Sequence, residues 1–366
     1  MRIYLRLPLA SILALLNLFC YSNVESIAGV NKYLFASATF PTLIVAVGEA
    51  PFNNGFFNWL FDIIFPERCS GSWIDFSAEG FNNALKERVY GQPLIGLSNA
   101  VQQHWSNNQP AKALLLSMHG PPGTGKNYVS GILIRHLFIK DSKSKFYHLF
   151  SGTVHFPHKN QVQTYKDQIQ AWVRGNVSIC PKSVFVFDEV DKMPATLLDA
   201  LKPFVDSYQH IDRVDYRRAI FIFLSNSGSD MISRYMLAQK KLGKDRSEVY
   251  SKLDDKLPLY LYDESNGPLR KSDLLKHHLV SRFIPFLPLE RLHVTECIKD
   301  YLKLHYPDWL YGPDFIERVL NKLVFVPERE KFFSSTGCKR VADKVQLQMS
   351  IDEMSDKDKR RRRNEL

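Results

Sequence analysis

The sequence predicts an α/β fold, a parallel β-sheet flanked by helices and followed by a small α-helical domain, and three stretches carry that prediction. The apolar run 113–118 leads into His119-Gly-Pro-Pro-Gly-Thr-Gly-Lys-Asn127 and then into the helical pattern 128–137, which is strand, glycine loop and helix in succession. Ser183-Val-Phe-Val-Phe-Asp-Glu-Val-Asp191 is a continuous β-favouring run ending in carboxylates, and Ala219-Ile-Phe-Ile-Phe-Leu-Ser-Asn226 is another ending in a polar residue. Runs that are continuous rather than alternating read as strands buried on both faces, and helical patterns between them make the sheet parallel.

The remaining elements follow in order. A helical pattern covers 81–89, a turn follows at Tyr90-Gly-Gln-Pro93, and 94–105 continues as a helix up to the loop strand. Residues 145–150 read as a short strand, 161–173 as a helix ending near Arg174-Gly175, and 191–205 as a helix started near Pro194. Residues 227–275 are polar, with a Lys-rich helix over 236–244 and a break at Gly267-Pro268. The run 279–289 is the last strand and the exit from the large domain; 294–304 and 314–323 are helices of the small domain, whose last helix opens at Gly337-Cys-Lys-Arg340. The expected organisation is 1–28 signal peptide, 29–68 membrane-associating segment, 69–289 large nucleotide-binding domain, 290–348 small helical domain and 349–366 basic flexible tail.

The chemistry sits in the glycine loop. Gly120, Gly123 and Gly125 let the backbone turn tightly and aim N–H groups at phosphate oxygens, Pro121, Pro122 and Thr124 complete the nucleotide-binding loop, and Lys126 can reach the β and γ phosphates. The loop is read as a P-loop for a nucleoside triphosphate. Position 127 usually carries a Ser or Thr hydroxyl for the Mg²⁺ shell, and here it is Asn127. Asp188 at the strand tip can hold Mg²⁺ through water, and Glu189 can orient and deprotonate the attacking water. Asn226 either positions that water and senses the γ-phosphate or caps the following segment, and spacing alone leaves both open. Lys339 at a helix start asks for an opposing anion, which a nucleotide phosphate would supply, or is a surface lysine.

With 366 residues, 45% hydrophobic and 23% charged, the chain is globular in composition. Half of its net charge of +10 comes from the tail, where Lys357, Lys359 and the four arginines 360–363 face only Asp358. The folded part is mildly basic and has no aromatic-basic ladder, so nucleic acid is not an expected partner. At the other end Arg2 and Arg6 precede the apolar run 7–20, and Ser26-Ile-Ala28 offers the small residues of a cleavage site. The uncharged stretch 33–48 is shorter than the ~20 residues of a spanning helix and is interrupted by Pro41, which favours lying on a membrane over crossing it. Aromatics at 56–61 suit an interface, or a staple onto the domain. Arg363-Asn-Glu-Leu366 partly matches a retrieval signal and Asn176-Val-Ser178 is a glycosylation sequon; with a signal peptide these point to the endoplasmic reticulum lumen.

Taken together, Gly123-Thr-Gly-Lys-Asn127, Phe187-Asp-Glu-Val-Asp-Lys-Met193, Phe221-Ile-Phe-Leu-Ser-Asn226, the run 280–290 and Gly337-Cys-Lys339 resemble the torsins, AAA+ ATPases of the endoplasmic reticulum lumen related to Clp-type unfoldases. The resemblance covers roughly 69–347. It implies Mg-ATP as the substrate, Lys126 on the phosphates, Asp188 on Mg²⁺, Glu189 as catalytic base, Asn226 and Lys339 as the first and second sensors, and a disulfide between Cys297 and Cys338. It also implies homo- or hetero-oligomers and a membrane-anchored luminal activator, of the lamina-associated polypeptide type, that lends an arginine in trans. Clp-type relatives carry their own finger in an Asn-Arg-Ile-Asp pattern; in register this chain has His278-Leu-Val-Ser281, so Leu279 stands there and Arg282 lies three residues on. No Gly-aromatic-Val-Gly pore loop occurs between Phe150 and Tyr165, where Phe156-Pro-His158 stands instead. A nucleotide-gated scaffold and a self-sufficient Clp-like unfoldase are the competing expectations.

Overall fold

Five apolar runs become five parallel strands in the computed structural model, which describes residues 66–364 apart from Ser72, Ser265 and Asn266. The expected signal peptide, nearly all of the membrane-associating segment and the final two residues of the retrieval-like sequence lie outside the described residues. In chain order the elements are α1 Ala78–Arg88, α2 Ile95–Ser106, β1 Leu114–His119, α3 Lys126–Leu137, β2 Tyr147–Ser151, α4 Gly152–His155, α5 Val162–Ile179, β3 Val184–Asp188, α6 Lys202–Val205 and β4 Ile220–Ser225. There follow α7 Ser229–Lys241, α8 Arg246–Asp263, α9 Asp273–Lys276, β5 Arg282–Pro285, α10 Arg291–His305, α11 Pro313–Leu320, β6 Phe325–Val326, β7 Phe333–Ser334 and α12 Val341–Asn364.

The sheet order is β2-β3-β4-β1-β5, and its pairings are all parallel. Alternate residues of one strand enter different cores: Leu115, Phe185, Phe187, Phe221 and Phe223 join one cluster, whereas Leu114, Leu116, Val184, Val186, Ile220 and Ile222 join the other. That division is why the runs read as continuous, since side chains on both faces leave water. The first cluster is closed by α5, α7 and α8 and the second by α1, α2 and α3. A third cluster, starting at Leu289, joins α10, α11 and α12 around Val294, Ile298, Phe315 and Val345. The antiparallel pair β6-β7 adds a small sheet to this otherwise helical unit.

The order of the sheet sets β1, β3 and β4 side by side, so their carboxyl ends meet at one crevice, where an open α/β sheet holds its ligand. Gly120 N–H donates to the Ser225 carbonyl at 3.3 Å, joining the glycine loop to the tip of β4.

Several boundaries differ from the sequence reading. The basic tail is not an unstructured segment: α12 runs on to Asn364, because 341–364 contain no Gly or Pro and Val341 and Val345 anchor the first turns in the small core. The helix expected to end near Gly175 continues as α5 to Ile179, held by Val177 one turn beyond the buried Val173. The helix expected from Pro194 is instead two 3₁₀ turns, Val190–Lys192 and Leu197–Leu201, before the short α6. Inside the polar stretch lies α8, whose Val249, Leu253, Leu257 and Leu261 form a buried stripe at four-residue spacing.

Two disulfides are formed. Cys297–Cys338 joins α10 to the turn before α12, and Cys69–Cys180, which the sequence reading did not pair, ties the start of the domain to the end of α5. Among the described residues no helix is long and apolar enough to cross a membrane.

Candidate functional site: a nucleotide cleft between sheet and small unit

The glycine loop ends where α3 begins at Lys126, with Gly125 as N-cap at φ 106°. The free N–H groups and dipole of that first turn favour an anion. Lys126 is buried, and its ammonium donates to the carbonyls of Gly120 (2.6 Å) and Pro121 (3.0 Å) and to Asn226 Oδ1 (3.0 Å). Burial pushes the Lys126 ammonium down to about 8, against the opposing pull of Asp191 and Asp188. Thr124 Oγ1 donates to the Pro121 carbonyl at 2.7 Å, fixing the loop from within. Pro122 is exposed at the loop's outer edge.

Asp188 and Glu189 stand where expected, at the end of β3. Asp188 Oδ1 accepts from the Glu189 N–H at 2.8 Å, and Asp188 Oδ2 from Asn127 Nδ2 at 2.5 Å. The unusual Asn127 thus spans from the helix start to the β3 carboxylate. Glu189 has φ 53°, and its carboxylate accepts from Ser151 Oγ at 2.7 Å and Thr153 Oγ1 at 2.5 Å. Those two hydroxyls, Thr153 first, hold its carboxyl below the usual range. The sequence reading missed both, since Ser151 ends β2 and Thr153 lies in the short α4 after it, where no motif marks them.

For Asn226 the structure removes the capping reading. The N-cap of α7 is Gly228, so Asn226 does not cap it; its amide oxygen accepts from Lys126 and its backbone N–H donates to Asp191 Oδ1 at 2.9 Å.

Lys339 reaches the same cleft from the small unit. Cys338 N–H donates to the Gly123 carbonyl at 3.0 Å. Gly123 (φ 76°) and Gly337 (φ 53°) face one another so closely that a Cβ on Gly123 would strike the Thr336 carbonyl, and one on Gly337 would strike the Gly123 carbonyl. The glycine of the Gly-Cys-Lys motif is therefore needed to bring backbone against backbone.

The cleft so formed has a volume of about 700 Å³ and is lined by the loop, Asp188, Glu189, Asp191, Asn226 and Lys339 together with Arg88, Val89, Tyr90, Asp300, Tyr301 and Val341. Its size and its mixed polar and aromatic-apolar lining suit a nucleotide. Tyr90 OH donates to Asp300 Oδ2 at 2.6 Å across the cleft, and Gln92 bonds the Thr124 carbonyl and both the N–H and the carbonyl of Leu287. Tyr90 and Gln92 belong to a turn that the sequence marked only as a turn. Mg²⁺ fits the donor set here, because Asp188 and Glu189 offer hard carboxylate oxygens beside the phosphate cradle.

Leu279 is buried in the core, and Arg282 lies at the start of β5, exposed and 4.0 Å from Asp254. Neither lines the cleft. Phe156 is buried, so it is not displayed as a pore residue. Asn176 is half-buried on α5, where Nδ2 donates to the Trp172 carbonyl at 2.8 Å.

Both the sequence and the fold of the chain resemble known proteins. A family model described as Torsin matches residues 63–187. A "Torsin-like protein" of Caenorhabditis elegans is 37% identical over 343 residues, covering 93% of this chain and 94% of its own. Among solved structures, the Saccharomyces cerevisiae Hsp104-ADP complex superposes with a TM-score of 0.51 at 15% identity, over 76% of this chain and 48% of that one. A closed-state Hsp104 with ATPγS and FITC casein gives 0.49 at 16%, over 74% and 46%. The chain spans about half the length of those Hsp104 chains, and the likeness to the Hsp104-ADP complex is one of fold.

Proposed function

The chain belongs to the torsin family, and from that premise we propose that it is an AAA+ ATPase of the endoplasmic reticulum lumen and perinuclear space, slow by itself, that remodels proteins or membranes when a membrane-anchored luminal partner supplies an arginine. The observation that carries the ATPase reading is the convergence of Lys126, Asp188, Glu189, Asn226 and Lys339 from four separate segments on one cleft. When bound, Mg²⁺ would neutralise phosphate charge, held through water by Asp188.

The chain's own residues divide the work. Lys126 exchanges its loop carbonyls for phosphate oxygens, and the α3 N-terminus adds its N–H groups. Glu189 takes the proton of the attacking water once it leaves Ser151 and Thr153. Lys339, carried by the small unit, ties phosphate charge to the position of that unit. The absence of a cation at Leu279 supports the need for a partner, since a missing arginine finger costs about 10³–10⁵ in rate. Because Cys297–Cys338 adjoins Lys339, its reduction is expected to weaken nucleotide binding, a coupling that mass mapping of free thiols in the native lumen would sink.

Glu189→Gln tests the reading. It should keep ATP affinity while turnover falls by about 10²–10⁴, and should trap partners in the presence of ATP. Because two hydroxyls occupy Glu189, a scaffold gated by bound ATP is the second reading; it would keep its cellular function in that variant. Brisk turnover by the purified chain alone, abolished by Arg282→Ala, would refute dependence on a partner's arginine.

A further inference from the structure

We propose that Asp191 is a positioning residue for nucleotide hydrolysis: it sets the orientation of the Asn226 side-chain amide, and through it the placement of Lys126. The proposal rests on the ATPase reading of the cleft and assigns a role to the third carboxylate of the β3 end, which lies in the turn Val190–Lys192.

Asp191 is well covered, its side chain only 14% exposed, although Lys192 beside it is 61% exposed. Its Oδ1 accepts from the backbone N–H of Asn226 at 2.9 Å, and Asn226 Nδ2 approaches the same oxygen at 3.4 Å. An ionised carboxylate only accepts, and an ammonium only donates. The amide of Asn226 lies between one of each: Asp191 requires its nitrogen, and Lys126 Nζ at 3.0 Å requires its oxygen. Both neighbours therefore enforce one orientation, where an isolated amide would turn freely. The tip of β4 is gripped from its other side as well. The buried His119 bonds the Ser227 carbonyl through Nδ1 at 3.1 Å and Ser117 Oγ through Nε2 at 2.7 Å. The result is a line of carboxylate, amide and ammonium running from the end of β3 through the tip of β4 to the glycine loop. A site that stabilises developing charge gains from groups already aimed before the reaction, and Asp191, which also lines the cleft, supplies that aim through Asn226.

The plain alternative is that Asp191 merely satisfies a backbone N–H and so stabilises the fold. A polarity swap in the full chain separates the two. Asn226→Asp sets two carboxylates against each other and should lower single-turnover ATP hydrolysis about tenfold or more. Adding Asp191→Asn reverses the polarity of the pair, because the new amide donates and the new carboxylate still faces Lys126; the double variant should recover at least half of that loss on a logarithmic scale. In a second measurement, Asp191→Ala should slow hydrolysis in the parent but cause no further slowing in an Asn226→Ala background, even where urea melts show lower stability. A double swap no better than Asn226→Asp, or independent losses in the alanine pair, would overturn the proposal. Wild-type hydrolysis unaffected by Glu189→Gln would instead defeat the ATPase reading. Affinity for a fluorescent ATP analogue, measured on the same variants, would still report whether Asp191 acts through Asn226 on Lys126.

Discussion

Glu189 is held in a backbone conformation that costs of order 1 kcal/mol or more for a non-glycine residue, and one oxygen of its carboxylate, Oε2, accepts from both Ser151 and Thr153. A base in that state is stabilised as an anion and drawn away from its proton acceptor role. Removing both hydroxyls, by Ser151→Ala with Thr153→Ala, is expected to raise turnover of the unpartnered chain by up to about tenfold, a part of the ~10²–10⁴ that a positioned base contributes. ATP affinity should stay unchanged; a fall in turnover would show that the hydroxyls aim the base instead of restraining it. The residues of the site were legible in very different degrees. Lys126, Asp188 and Glu189 were readable because motif and chemistry coincide within a few positions. Ser151 and Thr153 were not, since they meet Glu189 only through the pairing of β2 with β3, and nothing local distinguishes two hydroxyl residues at a strand end and in the short helix after it. Asn226 was readable as a polar strand end, but its orientation depends on Asp191 and Lys126, which are distant in sequence.

At the scale of elements, the sheet was legible because each strand is apolar throughout, whereas α8 was hidden by its charged exposed faces and by Pro258 within it. Its first residue, Arg246, shows what was missed. The buried guanidinium donates to the Gly91 carbonyl (2.9 and 2.6 Å), the Pro288 carbonyl (3.1 Å from each of two nitrogens) and Glu290 Oε1 (3.1 Å). It thereby fastens the Tyr90 turn to the segment that leads into α10. Arg246→Met leaves two carbonyls and part of a carboxylate without their donor, and should cost about 3–5 kcal/mol in urea melts. Nucleotide affinity should fall with it, because Tyr90 and Lys339 lie on the two sides that Arg246 joins. Loss of stability with affinity intact would separate the seam from the site. The staple Cys69–Cys180 acts on the same scale. It closes 111 residues and so restricts the unfolded chain, and replacing both cysteines by serine should cost about 2–5 kcal/mol. The sequence reading left this pair unassigned, because cysteine spacing by itself does not reveal which ends of a fold meet.

Across the whole molecule, four histidines are kept neutral by burial: His104, His119, His148 and His293 are each lowered to about 4. In the unfolded chain each would bind a proton near pH 6.5, so between about 6.5 and 4 the unfolded state carries more protons than the folded one. Stability contributed by these groups is therefore complete above pH 6.5 and is lost as the pH falls toward 4. His293 matters most for architecture, because it lies at the junction of the sheet domain and the small unit. Its Nδ1 accepts from the Glu290 N–H at 3.0 Å, a bond that protonation of that nitrogen would abolish. Burial is the largest cause of its low value, Arg246 and Lys240 add to it, and Glu290 opposes. A molecule joined in this way should loosen in acid first at the junction. Urea melts from pH 7 to 5 should show falling stability, with a slope of about 1.4 kcal/mol per pH unit for each proton bound in excess by the unfolded state. His293→Gln removes one of those protons and should flatten the curve by part of that amount, even if it lowers stability at pH 7. A parallel, uniformly lowered curve would mean that His293 takes up its proton equally in the folded and unfolded chain, and that the junction is held by Arg246 and Glu290 without dependence on a neutral ring beneath them.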